Sequence, residues 1–523
     1  MQPNGQAPVF ILREGTERSH GRIAQSNNIA AARAVAESVR STLGPKGMDK
    51  MLVDEGGDVI ITNDGATILR EMNIEHPAAK MIIEVSKTQE QECYDGTTTA
   101  VVLSGELLKK SEDLIEQNIH PTTICDAFRE VGTHLNSLLD DLALPTDKTS
   151  LQKVAETSLT GKSAGSIKSF LGEICVEAVN RLAKEGRVDL NEIMVVKAVG
   201  GEAIDSSLVS SIVLDKERCH NSMPLHIERP PVLLYNNSLT VQTTEMDANI
   251  QITDPNQITA FLEQEEEFIR SLTNEIIQSG AKVVVCQKEI DDLAKHYFAK
   301  AGIIAVEKVP KSDMEALSRT TGAIILNNLD DLRDEEDVLG WCGSVEEKKV
   351  GELPMVFFNE PNESTPVTLI LRGGTVPFVE EIERAFDDAV GVVSVAYEDG
   401  EVLTGGGSVF AALSHLLNDL AETKTGRERM AIEAFSEALL VIPRTLVENA
   451  GLDPVDEIMT LRTHHASNEK SAYGVNVFAG GLCDMTELGV YEPKRVVAQA
   501  IKSAVETAIM ILRIDDVISS KKA

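Results

Sequence analysis

The character of this chain changes twice between its ends. Residues 1–140 are mostly amphipathic helix, as in NNIAAARAVAESVRSTLG, where apolar residues recur at helical spacing until Gly44-Pro45. From about 190 to 370, β-branched runs such as IMVVKAV and VTLILRGG alternate with helical stretches. That alternation predicts a parallel or mixed sheet covered by helices. Helical patterns return after residue 400. Because 523 residues are too many for one core, we expect about three domains, with helical ends flanking an α/β middle.

The charge balance excludes some classes of partner. The chain has 49 basic and 83 acidic residues, a net charge of −34, which argues against nucleic acid or an anionic membrane as the main ligand. Seven scattered cysteines without a CxxC pair are typical of the reducing cytosol. We therefore expect a cytoplasmic protein, in which any site for an anionic ligand needs local positive potential from helix starts and a few lysines.

A long amphipathic helix is predicted within the middle region. It begins with Asp254 as N-cap and Pro255 at the first helical position, and it ends at Ser279-Gly280. A helix of roughly 25 residues would reach about 40 Å, more than the width of a small domain. Two interpretations stay open: a surface helix with one solvated face, or a projecting arm whose apolar stripe contacts something beyond its own domain.

The stretch Asp95-Gly-Thr-Thr-Thr99 stands directly before an apolar helix, Ala100 to Leu108. One interpretation is a capped helix, in which Asp or Thr accepts an unpaired N–H and Gly allows a tight entry. The other is a phosphate-binding turn, with a positive helix start, hydroxyl donors, a glycine for close backbone approach and a carboxylate for Mg²⁺. This stretch alone does not decide between them.

Similar turns occur elsewhere, in LGPKG at 43–47, NDGAT at 63–67 and TGGGS at 404–408. A single glycine cluster is usually only a turn, but several such turns next to helices favour phosphate binding. Asp64, Asp95 and Asp388 are then candidate carboxylates for Mg²⁺ and for an attacking water. The chain has no GxxxxGK[ST] motif, so a Walker-type site is excluded.

Five segments together resemble one known family. They are STLGPKGMDKMLVDEGGDVIITNDGATIL, IEHPAAKMI, DGTTTAVVLSGELLKKSEDLIEQNIHPTTI, LILRGGT and LRIDDVI. In spelling and order they are similar to the archaeal thermosome, a group II chaperonin, and the match runs from about residue 8 to 518.

The resemblance implies a multidomain α and α/β chaperonin subunit. Its parts would be a mainly helical equatorial ATPase domain (1–143 and 401–523), a small α/β intermediate domain (144–212 and 367–400) and an α/β apical substrate-binding domain (213–366) with a helical lid protrusion near 246–279. It also implies two stacked rings of identical or paralogous subunits, which use ATP to fold non-native proteins inside a closed cavity.

The resemblance further implies an ATP and Mg²⁺ site. Asp95 matches the Mg²⁺ ligand, and Asp64 and Asp388 match the carboxylates that orient and deprotonate the attacking water. Because Asp388 would lie on the intermediate domain, hydrolysis would depend on closure of the subunit. The matched nucleotide-binding positions are Gly44, Pro45, Gly96, Thr97, Thr98, Thr99, Lys162, Gly406, Gly407, Asn476 and Glu492.

One residue departs from the family pattern within the site. Tyr94 stands where the family usually has glycine. If the position needs φ > 0, the side chain strains the turn and weakens the ATPase; if not, the ring lies over the turn. A second function therefore stays open: a divergent ring subunit or holdase with weakened ATPase that acts in a mixed complex. A metabolic kinase is disfavoured, because no further substrate pocket or Arg clamp is visible in the sequence.

Overall fold

The computed structural model describes residues 16–53, 56–57, 59–161, 165, 167–240, 255–334, 338–361, 366–467 and 472–520. The chain divides into two compact units. The first unit is Met1–Val176 with Ala385–Ala523, and the second unit is Glu177–Arg384. The predicted combination of helical ends and an α/β middle is confirmed. The finer division into three domains stays a prediction.

The N-terminal segment is mostly helical. Its elements are β1 (Thr16–His20), α1 (Arg22–Arg40), β2 (Lys50–Val53), β3 (Val59–Thr62), α2 (Gly65–Glu71), α3 (Pro77–Cys93), α4 (Thr97–Glu116), α5 (Pro121–Leu142), β4 (Leu144–Pro145), α6 (Lys148–Leu159) and α7 (Lys168–Leu182).

The middle segment alternates strands and helices. Its elements are β5 (Ile193–Val199), β6 (Ser207–Val209), β7 (Ser211–Leu214), β8 (His226–Glu228), β9 (Pro231–Tyr235), α8 (Pro255–Gln278), β10 (Val283–Cys286), α9 (Asp292–Lys300), β11 (Ile304–Val306), α10 (Lys311–Thr321), β12 (Ile325–Leu326), α11 (Asp331–Asp334), β13 (Gly340–Val350), β14 (Leu353–Pro361) and β15 (Val367–Gly373).

The C-terminal segment is again mostly helical. Its elements are α12 (Val376–Asp399), β16 (Glu401–Thr404), α13 (Ser408–Glu422), α14 (Gly426–Leu439), α15 (Val441–Asn449), α16 (Pro454–Ser467), β17 (Tyr473–Val475), β18 (Leu482–Asp484), α17 (Met485–Leu488), β19 (Tyr491–Pro493), α18 (Lys494–Leu512) and β20 (Asp516–Ser520).

Helix α4 is the central element of the first unit. Every residue from Ala100 to Leu108 is buried, which explains why most of this run is apolar. The helix packs against α1, α14 and α18. A Cβ on Gly105 would lie 2.4 Å from the Cβ of Ala36, so α1 and α4 approach closely at this point. The packing fixes the position of the α4 N-terminus, where the Asp95–Thr99 turn lies.

The second unit is built on a mixed sheet, as the alternating pattern predicts. The strands follow the order β11-β10-β9-β13-β14-β7, with β12 also paired to β9 and β8 to β13. Strands β9, β10, β11 and β12 pair in parallel, and β13 runs antiparallel to its neighbours. A second sheet, β5-β15-β6, belongs to the same unit.

Helix α8 begins at Pro255 and ends at Gln278, close to the predicted bounds; its predicted N-cap, Asp254, lies outside the described residues. The C-terminal half packs on the sheet through Ile269 and Ile276, in a cluster with Phe298. The six consecutive residues 263–268 are all exposed. Because a helix face that packs on its own unit would be buried, this exposure favours the projecting arm over the surface helix.

No helix in the described part of the chain has the length and apolar character needed to span a membrane.

Candidate functional site

One cavity of about 410 Å³ in the first unit collects most of the predicted site residues. Residues that are more than 300 positions apart in the chain line it together. Lys162 lies outside the described residues. The predicted residues that line the cavity are Gly44, Pro45, Asp64, Asp95, Gly96, Thr97, Thr98, Thr99, Asp388, Gly406, Gly407, Asn476 and Glu492. Their individual roles stay predictions.

The start of α4 opens into this cavity without a side-chain cap. Its N-cap is Gly96, in the left-handed region at φ 79°, and no side chain accepts from the first turn. The Asp95 carboxylate accepts from the neighbouring Gly96 N–H at 2.6 Å. A Cβ on Gly96 would lie 2.8 Å from Val496 Cγ1 and 2.9 Å from Gln89 Nε2. The capped-helix interpretation is therefore wrong, and the first N–H groups of α4 can face a ligand.

The start of α13 has the same construction. Its N-cap is Gly407, at φ 76° and without a side-chain cap, and a Cβ there would lie 2.8 Å from Pro443 Cβ. The turn is held by the antiparallel pair β16–β19 and by Gly405 N–H, which donates to Val490 O at 2.9 Å. Ser408 N–H, the first of α13, donates to Gly405 O at 3.1 Å. Among the described residues, no acceptor is found for the next N–H groups of α13 or for the first three of α4, so both helix starts present N–H groups to one cavity. Helices α2, α3, α5 and α6 instead start with capping side chains.

Carboxylates concentrate around the start of α2. Asp64 caps this helix, because its Oδ2 accepts from Thr67 N–H at 2.7 Å. Its other oxygen lies 3.5 Å from the hydroxyl of Thr97. Burial raises the pKa of the neighbouring Glu90, and the charges of Asp64 and Asp388 raise it further. Asp64 and Asp388 are therefore both close enough to Glu90 to repel its negative charge. A bound cation would relieve the repulsion among these carboxylates.

The charge of the lining is strongly acidic. Asp64, Asp95, Glu156, Asp388 and Glu492 line the cavity. Lys168 is the one lysine or arginine among the described lining residues, and its Nζ donates to Thr160 Oγ1 at 3.2 Å. Among the described residues, no group of three His, Cys, Asp or Glu side chains could hold a metal by itself. This donor set fits Mg²⁺ that arrives with phosphate oxygens and keeps several waters, since such Mg²⁺ needs only one or two carboxylates.

The residues that line the cavity form two chemically different sets, which meet where a Cβ on Gly44 would lie 2.3 Å from Leu446 Cδ2. We call the set formed by residues 42–45, 63–65, 94–99 and 388 the polar end. The set formed by residues 442, 446, 475–478, 485, 488–490 and 492 is called the apolar end. Its apolar side chains are Ile442, Leu446, Val475, Val477, Phe478, Met485, Leu488 and Val490.

Two polar side chains interrupt the apolar end. Asn476 Oδ1 accepts from the N–H groups of Phe478 and Ala479, at 3.1 and 3.0 Å, so this side chain holds its own turn. Glu492 stands on β19, opposite Leu403. Burial raises the pKa of Glu492 to about 8, and the charge of Asp95 adds to the shift. Both causes disfavour the charged carboxylate, so the protonated form of Glu492 persists to higher pH than is usual for a glutamate.

Tyr94 has both a left-handed backbone and a ring that contacts a neighbouring helix. Its backbone is left-handed, at φ 59° and ψ −2°, and its N–H donates to Glu90 O at 3.0 Å to end α3. For a bulky residue this conformation costs on the order of 1–3 kcal/mol. The ring contacts helix α12: a Cβ on Gly391 would be 2.3 Å from Tyr94 Cγ. That the ring lies over the turn stays a prediction.

Comparison with known proteins identifies the family. The model of the TCP-1/cpn60 chaperonin family matches residues 35–522. The chain belongs to this family. It is 50% identical over 521 residues to thermosome subunit beta of Methanothermobacter thermautotrophicus, covering 99% of this chain and 96% of the relative. Thermosome subunit beta of Archaeoglobus fulgidus is 51% identical (98% and 95%), and thermosome subunit alpha of Thermoplasma acidophilum is 49% identical (99% and 96%).

The predicted resemblance to the archaeal thermosome is thereby confirmed, and membership of the family supports a group II chaperone role. The cavity-lining side chains of this chaperonin that the sequence prediction missed include Glu156, Lys168 and Phe478. No motif marks them. For Glu156 and Lys168, the sequence shows only the helical pattern of α6 and α7. Phe478 follows Asn476 in a turn whose direction the sequence does not specify.

Proposed function

We propose that this chaperonin subunit hydrolyses ATP in the cavity of the first unit and uses the reaction to fold non-native proteins. It would do so in the cytoplasm, within two stacked rings of identical or paralogous subunits whose cavity is closed by a built-in lid. One observation carries the proposal: two helix starts with unpaired N–H groups, at Gly96 and Gly407, open into a single cavity with hydroxyls and carboxylates between them.

The polar end supplies what a triphosphate requires. The N–H groups and hydroxyls of Thr97, Thr98 and Thr99 bind phosphate oxygens, as the turns at Gly44-Pro45 and Gly406-Gly407 do from the other sides. Because the lining is acidic, the triphosphate binds together with Mg²⁺, which Asp95 holds and which neutralises the phosphate charge. Lys168 is positioned to add positive charge, and Lys162 is the family's match for the lysine that senses the terminal phosphate.

The two other candidate aspartates, Asp64 and Asp388, differ in the step of the reaction that each can perform. Asp64 is held by its cap on α2 through one oxygen, so its orientation is fixed and it suits the task of orienting a water molecule. Asp388 reaches the cavity from α12, a separate element. We assign Asp388 as the general base that removes the proton from the attacking water. The apolar end receives the adenine ring and the ribose, with Asn476 and Glu492 beside them.

The three-domain layout of the family completes the proposal. The cavity belongs to the equatorial domain, and Asp388 to the intermediate domain. The apical domain binds clients and carries the lid. The exposed stretch 263–268 of α8 supports the lid assignment, because a lid must contact something beyond its own domain. Deletion of residues 246–268, which spares Ile269 and Ile276 in the core of the second unit, should leave ATP turnover intact and abolish protease resistance of the apical domain with a transition-state mimic. Retained resistance would contradict the lid.

A refolding assay tests the function as a whole. The purified chain should form rings, suppress aggregation of a denatured client and return it to activity only with Mg²⁺ and ATP. The Asp388→Ala variant is the matched control, since it should capture the client and fail to return it. If the wild-type chain behaves like this variant, the alternative holds: a divergent ring subunit or holdase with weakened ATPase. The left-handed backbone of Tyr94 is the observation that favours this alternative.

A further inference from the structure

Tyr94 and Gly391 are each an unusual choice for the place they occupy. Tyr94 has a left-handed backbone, which bulky residues avoid. Gly391 is buried inside α12, among Val390, Val392 and Val393, although glycine disfavours a helix interior. The two choices explain each other. The Tyr94 ring occupies the space beside the Gly391 backbone, and a Cβ at position 391 would lie 2.3 Å from Cγ, 2.6 Å from Cδ1 and 2.7 Å from Cβ of Tyr94.

The contact joins two parts of the cavity. Tyr94 immediately precedes Asp95 in the chain, and both line the cavity. Gly391 follows Asp388 by three residues in α12, and residues with this spacing lie on the same face of a helix. The face of α12 that touches the Tyr94 ring is therefore the face that carries Asp388 into the cavity.

Tyr94 is also held firmly on its own side. Its N–H donates to Glu90 O at the end of α3, and the preceding Cys93 is buried, with its Sγ 3.7 Å from Arg495 O. The next turn is fastened by Gln89, whose Nε2 donates to Asp95 O at 2.9 Å and to Val496 O at 3.0 Å. The ring thus projects from a fixed point, and its contact with Gly391 determines how closely α12 approaches.

We propose that Tyr94 is a positioning residue for Asp388: its ring, seated on the bare backbone of Gly391, fixes the distance between the Asp95–Thr99 turn and the face of α12 that carries Asp388. This rests on the proposed ATPase function. Misplacement of a catalytic group by about 1 Å can cost up to about a hundredfold in rate. The effect falls on kcat and not on nucleotide affinity, because the groups that bind the phosphates are not moved.

Four variants test the contact. Tyr94→Gly removes the ring and should lower kcat about tenfold with an unchanged Kd for ATP. Gly391→Ala forces α12 away from the ring and should do the same. The double variant Tyr94→Gly/Gly391→Ala should recover most of kcat, since the new Cβ fills part of the vacated space.

Tyr94→Phe keeps the ring and should match the wild-type chain. Asn118→Gly, a left-handed residue remote from the cavity, is the control for the loss of backbone strain.

The outcomes separate this proposal from the proposed function. Absence of ATP turnover in the wild-type chain would contradict both. With an active wild-type chain, three results overturn the positioning role alone: a double variant in which the two losses multiply, a loss of affinity instead of kcat, or Tyr94→Phe as impaired as Tyr94→Gly. Thermal unfolding midpoints of the same four variants provide a readout independent of activity. Additive shifts would show that the two residues are not coupled.

Discussion

The polar and apolar ends of the cavity are built in different ways. The polar end comes from short contiguous motifs, in which backbone N–H groups, hydroxyls and carboxylates follow one another along the chain. The apolar end is assembled from single side chains on α15, α17 and the segments around β17 and β19. Under the proposed function, this difference predicts that hydrolysis and the affinity for the base can be changed separately. Chemistry should depend on the polar end, and affinity for the base on the apolar end.

The sharpest test of this separation is Asp388→Ala. We expect ATP turnover to fall at least about a hundredfold, as for loss of a general base, while the affinity for ATP changes less than about twofold. Phosphate release and equilibrium nucleotide binding measure the two quantities. Asp387→Ala is the matched control, because it removes the same charge from the neighbouring residue, which does not line the cavity. Equal loss of binding in Asp388→Ala would show that its role is misassigned.

Asp95→Ala should have the next largest effect, on binding at the polar end. Loss of a metal ligand should weaken Mg·ATP about tenfold or more, by analogy with the cost of losing a metal-site partner, and should change binding of metal-free ADP little. Calorimetry with and without Mg²⁺ separates these cases. Asp95→Asn keeps the acceptor for Gly96 N–H and loses the charge, so it should resemble Asp95→Ala. Unchanged Mg·ATP affinity would count against the phosphate-binding turn.

Phe478→Ala tests the apolar end. The ring is 63% exposed, so its removal should not affect folding. We expect a loss of affinity of about threefold to tenfold, which is equal for ATP and ADP and independent of Mg²⁺, with unchanged turnover at saturation. Fluorescent-nucleotide titration measures it, and Val455→Ala, another exposed apolar residue, is the control. An Mg²⁺-dependent loss would place this ring near the phosphates instead.

Among these variants, Glu492→Gln should change ATP turnover least. It should, however, measurably change the pH dependence of the free energy of unfolding. The pKa of Glu492 is raised in the folded chain to about 8, so its protonated form stabilises the fold below the unfolded pKa and this contribution is lost as pH rises through about 8. Relative to Glu492→Gln, the free energy of unfolding of the wild-type chain should fall by on the order of 4 kcal/mol between about pH 5 and pH 8.5. Urea unfolding at both pH values measures it. Parallel pH dependence of the two proteins would contradict the raised pKa.

The polar and apolar ends also differ in how far the sequence alone predicts them. Gly96, Thr97 and Asp64 belong to short motifs that predict helix starts, so the positions of these helix starts were predictable. The motifs alone left a capped helix and a phosphate-binding turn open, and the resemblance to the family supplied the choice. The strands after residue 190 were predictable from their β-branched runs. Phe478 and Lys168 reach the cavity through tertiary packing, which no local pattern encodes. The contact of Tyr94 with Gly391 joins positions almost 300 residues apart, and a single sequence carries no signal for such a pair.

The most direct test of the account is phosphate release by the purified wild-type chain, measured with Mg²⁺ and with the metal chelated, beside Asp388→Ala under the same conditions. We predict steady turnover that requires Mg²⁺ in the wild-type chain and almost none in the variant, although both bind ATP. Turnover that is equal in the two proteins, or that persists without Mg²⁺, would contradict ATP hydrolysis at this cavity.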